Sequence, residues 1–174
     1  MRWFAKLVLV AVIVSAFVPM IGEFINVLRE RVVLDAALVN SARAANNNAM
    51  NIWHMMMLDA VVNEDDFIRF FSESFSDSLG LSYNNAAIGN PMVFTSDSGR
   101  FNDITVSFAF DFNFVPSGGD VFALAHDDRS VTLVTLEMET PYLFRTFWLR
   151  TVNGASNDNF LLRATRPFIV QVVN

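Results

Sequence analysis

The sequence contains no cysteine and a single lysine, Lys6. Without thiols it can build neither a disulfide frame nor a thiolate metal site. With one lysine and a formal net charge of -6, it lacks the clustered cations of a phosphate-binding surface, and nucleic acid is not an expected partner. Histidine is nearly as scarce: His54 and His126 are not repeated at ligand spacing, so a histidine-based metal site is not expected. Glycine-rich phosphate loops, a GxSxG elbow and a serine with a plausible base are all missing. These absences leave catalysis nothing to rest on, and the sequence is read as a non-enzyme that needs no cofactor.

What is present is apolar bulk. Hydrophobic residues make up 53% of the 174 positions and Phe fills 18 of them, enough to fill one ordered core. Once an N-terminal helical stalk over 1–62 is set aside, roughly 110 residues remain for one head, 63–174. Charge is unevenly spread. Between Asp59 and Asp128 the twelve acids face only Arg69 and Arg100, whereas from Arg129 onward five arginines face Glu137, Glu139 and Asp158. A solvated surface explains such blocks, and a head-to-head contact in a polymer is the sharper alternative.

Residues 7–22, LVLVAVIVSAFVPMIG, carry no charge, and Phe24, Ile25, Val27 and Leu28 extend the apolar region past Glu23. A transmembrane span at about 7–28 is long enough to cross a bilayer core. Arg2 and Lys6 precede it, while Glu23, Arg29, Glu30 and Arg31 nearly cancel beyond it, which favours the N-terminus inside and the head outside. MRWFAK, LVLVAVIV and Val14-Ser15-Ala16 also fit a cleavable signal peptide. Because the apolar run continues past that point, the segment is expected to be retained. Pro19 and Gly22 are expected to kink or loosen the helix. With no breaker between Glu23 and Asn63, one rod is expected to continue to the head. Residues 32–50 are apolar nearly all round and rich in alanine, namely Ala36, Ala37, Ala42, Ala44, Ala45 and Ala49. Small residues let helices approach closely, and a head can cover only one face, so neighbouring copies are expected to cover the rest.

Asn63 followed by Glu64, Asp65 and Asp66 reads as an N-cap with acids in the first turn, and Gly80 as a stop. Phe67, Phe70, Phe71, Phe75 and Leu79 fall on one stripe of the helix between them. In ITVSFAFDFNF, Ile104, Val106, Phe108, Phe110, Phe112 and Phe114 alternate with smaller or polar residues, the period of a half-buried strand. Turn residues then separate VFALAH, SVTLVTLEME, LFRTFWLRTV and NFLLRATRPFIVQVV, predicting an antiparallel meander of four to five strands. The fold class is α+β: a long apolar helix, a short amphipathic helix and an antiparallel sheet, with the head's core drawn from residues after Asn63.

A charged N-terminal tip, an apolar span, an alanine-rich continuation carrying Ala42-Arg43-Ala44-Ala45 and a β-rich head together resemble type IV pilin-like proteins, in particular TadE-like pilins and pseudopilins. The resemblance implies a subunit drawn from the cytoplasmic membrane by assembly machinery into a cell-surface filament. Such a filament has a core that is a bundle of these helices, a helical homo-polymer. The processing signal of classical prepilins, a Gly before the cleavage point and a Glu five residues after it, is missing. No Gly precedes Gly22, and Val8 and Leu9 stand where that Glu would fall.

Few polar groups stand out as candidates. Glu23 is an ionisable group in an apolar segment and is expected to pair with Lys6 or Arg2 of an axially shifted neighbour, or else to sit among headgroups. Ala36, Ala37, Ala42, Ala44 and Ala45 are the expected helix-to-helix contacts. Asp127-Asp128 and the Glu137/Glu139 pair could bind a hard cation or do acid/base work. However, no EF-hand spacing or apolar flank accompanies them, and solvated turn and strand faces are the better expectation. Met50, Trp53, Met55, Met56 and Met57 read as soft apolar packing. The competing function is a single-span anchored head that binds a partner as a monomer.

Overall fold

The protein is represented by a computed structural model that describes residues 2–50, 62–83, 89–96, 99, 101–114, 130–152 and 160–173. Helix α1 runs Arg2–Ala49, α2 Glu64–Leu79 and α3 Phe147–Val152. The strands are β1 Leu81–Tyr83, β2 Met92–Ser96, β3 Ile104–Phe114, β4 Ser130–Pro141 and β5 Leu161–Val173. They form one five-stranded antiparallel sheet in the order β1-β2-β3-β4-β5, a meander. The fold is α+β, as its sequence pattern predicts.

Helix α2 starts and stops where its capping residues dictate. The Asn63 side chain accepts the Asp65 amide at 2.9 Å, and Gly80 takes the left-handed conformation at φ 64° that ends the helix cheaply only for glycine. Its stripe of rings packs on the sheet. Phe67 meets Phe110, Phe71 meets Phe108 and Phe75 meets Phe94 edge-on, with centroids 6.0, 5.1 and 5.0 Å apart, geometries that suit the ring quadrupoles. On β3, Ile104, Val106 and Phe108 are buried while Thr105, Ser107, Ala109 and Asp111 point the other way. The same alternation on β4 buries Val134, Leu136 and Met138. The opposite sheet face carries cross-strand rows such as Ser107, Glu137 and Thr165, and no described element covers it.

Helices α1 and α2 lie on the apolar side, with α1 packed against α2 and reaching β5. Leu34, Ala37, Leu38, Ser41, Ala42 and Ala45 are buried at helical spacing, so α1 contributes a full stripe to the core. This corrects the expectation that the head's core comes only from residues after Asn63. On the far side of α1, Val32, Ala36, Asn40 and Arg43 remain exposed. Arg166 of β5 grips Asp35 of α1 through two parallel hydrogen bonds of 2.8 and 2.6 Å. That bond to the guanidinium holds the Asp35 carboxyl below the usual carboxylate range.

Two local expectations are corrected. The continuous helix ends at Ala49, where Asn46, Asn47 and Asn48 weaken helical propensity, and Met50 pairs with Val62 in an antiparallel bridge. A single rod does not reach Asn63; the Trp53 and Met55–Met57 cluster lies outside the described residues, as do His54, His126, Asp127-Asp128 and the VFALAH strand. Helix α1 runs through both Pro19 and Gly22. The expected strand over LFRTFWLRTV is instead an extended segment followed by α3. Tyr142 and Phe144 are buried and Leu143 and Arg145 exposed, so the strand-like alternation is real for four residues. It ends because Glu23, and not a neighbouring strand, takes the Arg145 and Thr146 amides. Two short strands, β1 and β2, fill the places at the other edge of the sheet.

Candidate functional site

The site is the base of the head, where α1 leaves it towards the N-terminus. From Trp3 to Ile21 the large apolar side chains of α1 are exposed apart from the half-buried Met20, and none of the 18-residue stretch most like a membrane span is buried. By length and composition α1 is a candidate membrane-spanning helix. At Glu23 that changes abruptly. Its side chain is 5% exposed, and its two carboxylate oxygens accept the backbone N–H groups of Arg145 and, at 2.8 Å, Thr146. A carboxylate accepting two amides is a charge-assisted arrangement that ties α1 to the segment before α3.

A second set of contacts holds that segment. The Tyr142 amide donates to the Phe160 carbonyl at 2.8 Å, and Tyr142, Phe144 and Phe160 form a ring cluster with centroids 5.1 to 6.3 Å apart. Asn102 donates to the Pro141 carbonyl at 2.6 Å. Burial, with the nearby charges of Glu30 and Glu23, raises the Tyr142 phenol above its usual range and keeps it neutral.

Two clefts flank α1 at this level. One, of about 970 Å³, is lined by Asn26, Arg29 and Glu30 of α1 together with Tyr142, Arg145 and Arg150. The other, of about 430 Å³, lies between Phe24 and Leu28 of α1 and Leu161 of β5. Arg29, Arg145 and Arg150 are exposed, and no ion pair holds them among the described residues. Leu143 and Phe147 stand exposed beside Arg145, at 44% and 71%, and Leu161 stands exposed at 47% in the second cleft.

The other sequence candidates fall as follows. Arg2 and Lys6 are exposed on the free part of α1; Lys6 lies seventeen residues from Glu23, about 26 Å along the helix. No Glu23–Lys6 pair within the chain is therefore possible. Ala37, Ala42 and Ala45 are buried in the chain's own core, Ala44 is half-buried and Ala36 is exposed. Only Ala36 of the five therefore offers its whole side chain to a neighbour. Glu137 is exposed and Glu139 pairs across strands with Arg163, so the two carboxylates lie on the open sheet face as solvated groups. Among the described residues no three His, Cys, Asp or Glu side chains stand together as a metal site. Sequence reasoning missed the Tyr142–Thr146 segment and the three arginines. The excess of arginine from Arg129 onward was the available signal for Arg145 and Arg150.

No family model, curated protein or solved structure matches the chain.

Proposed function

We propose that the chain is a pilin-like structural subunit of a cell-surface filament. It is held in the cytoplasmic membrane by α1 with its head outside, and it polymerises through the same helix after release by assembly machinery. The observation that carries this is the exposure of α1: the large apolar residues from Trp3 to Ile21 other than Met20 are uncovered, and Phe24, Ile25, Leu28 and Val32 continue the exposed run past Glu23. Such a surface is satisfied by lipid or by copies of itself, and a symmetric array offers every copy the same burial. The test exploits the absence of cysteine. A single cysteine at Val32 or Ala36 yields disulfide-linked species in cells that produce the chain, whereas one at Val93 on the open sheet face does not. Equal cross-linking at all three positions, or none, counts against assembly through α1.

The second reading, a single-span head acting as a monomer, draws support from Glu23. Its carboxylate is occupied within the chain, so an arginine or lysine of a neighbour is not needed to neutralise its burial.

A further inference from the structure

We propose that the base of the head seats on the bilayer surface as a second, peripheral membrane contact. In this contact Leu143 and Phe147 enter the headgroup boundary while Arg29, Arg145 and Arg150 take the phosphates of anionic phospholipids. The inference rests on the membrane-span part of the proposed function and is independent of whether filaments form.

The first argument is overlap along one helix. The exposed apolar run of α1 continues through Phe24, Ile25 and Leu28, yet the head already grips the same helix at Glu23 and Val27, both buried. The level at which span ends and head begins is therefore shared. Whatever part of the head lies beside residues 23–28 lies at the membrane boundary. That part is the Tyr142–Thr146 segment, pinned there by the two amide bonds to Glu23 and by the Tyr142, Phe144 and Phe160 rings.

Composition supplies the second argument. Leu143 and Phe147 flank the pinned residues and are among the few large apolar side chains exposed outside α1. An exposed phenylalanine beside a membrane-spanning helix is placed as interfacial anchors are. Charge is the third. The chain is acidic overall, at -6, yet the cleft beside α1 gathers Arg29, Arg145 and Arg150, which hold no ion pair among the described residues, around the single acid Glu30, and the nearby Glu23 accepts backbone amides. Arginine forks match phosphate oxygens, and basic residues beside a span are drawn to anionic lipid.

Because the chain has no cysteine, single cysteines bearing a fluorescent label can be placed at will in the full-length protein in lipid nanodiscs. The sites are Ile13 in the span, Thr151 on α3 and Val93 on the open sheet face, and the quencher is a nitroxide carried on lipid. In discs containing phosphatidylglycerol, labels at 13 and 151 are quenched and the label at 93 is not. In discs of phosphatidylcholine alone, quenching at 151 weakens while quenching at 13 persists. Each of Arg29→Gln, Arg145→Gln and Arg150→Gln lowers the ratio of seated to unseated heads about five-fold. Quenching at 13 with none at 151 overturns the seated head and leaves the span intact. An absence of quenching at 13 overturns the span itself. Quenching at 151 that is equal in both lipids and unchanged by the arginine substitutions overturns the phosphate contact.

Discussion

Replacing Glu23 separates a contact made within the chain from one made between copies. Glutamine keeps the shape of the side chain but offers one accepting oxygen where glutamate offers two. In Glu23→Gln one of the Arg145 and Thr146 amides therefore keeps a neutral acceptor, while the other faces an NH₂ group and loses its bond. A hydrogen bond to a charged group contributes about 1.5–3 kcal/mol and a neutral one about 1, so at the lower end of those figures the change costs about 2 kcal/mol in the link between α1 and the pinned segment. The link is local, so the loss is read best as amide hydrogen exchange at Arg145 and Thr146. An increase of about 30-fold follows from a 2 kcal/mol loss when exchange proceeds by local opening. The protein is kept monomeric in detergent, where no neighbour can supply a partner. Unchanged exchange at both amides, together with a loss of assembly on cells, would refute the internal contact and return Glu23 to pairing between copies.

Other changes test how α1 and the head share a core. Leu38→Ala removes a fully buried side chain and should destabilise the detergent-solubilised protein by about 2–5 kcal/mol, measured by chemical unfolding. By the same argument a chain starting at Arg43 loses Leu34, Ala37, Leu38 and Ala42 from the core and should not give a cooperative unfolding transition. One starting at Gly22 should. Ser41 is fully buried and its hydroxyl has no hydrogen-bond partner among the described residues, so Ser41→Ala should be neutral or stabilise by up to about 1 kcal/mol; a loss of more than that would reveal a hydrogen bond to this group. The hydrogen bonds from Arg166 hold the Asp35 carboxyl below its ordinary value, so its contribution to stability is fully present above about pH 4 and fades as pH falls through the depressed value. Asp35→Asn should therefore be destabilising at pH 7, and its difference from the parent chain should shrink in acid; a difference that grows in acid would contradict the pairing.

What could be read from the sequence was whatever repeats at short range. The Phe67, Phe71 and Phe75 spacing and the six-fold alternation from Ile104 to Phe114 predict elements that the fold contains, because burial on one face imposes those periods directly. Helix α1 hides its inner face for the opposite reason. Where nearly every position from 32 to 45 is apolar or small, periodicity cannot say which stripe meets α2. The partners of Glu23 were out of reach because they are backbone amides, which carry no residue signature, 122 and 123 positions away. Asp35 and Arg166, 131 apart, were equally out of reach. Thr146 to Val152 misled because β-branched and aromatic residues favour strands, and tertiary context overrode that preference. Met92 and Phe94 do alternate, but β2 has five residues and β1 three, too few for period alone to settle.

Electron microscopy of material sheared from the surface of cells producing the chain, decorated with an antibody to its head, bears most directly on the claim that α1 is a polymer core. The account predicts regular filaments decorated along their whole length. Antibody confined to membrane fragments, with no decorated filament, would contradict it and leave the chain as a membrane-anchored monomer.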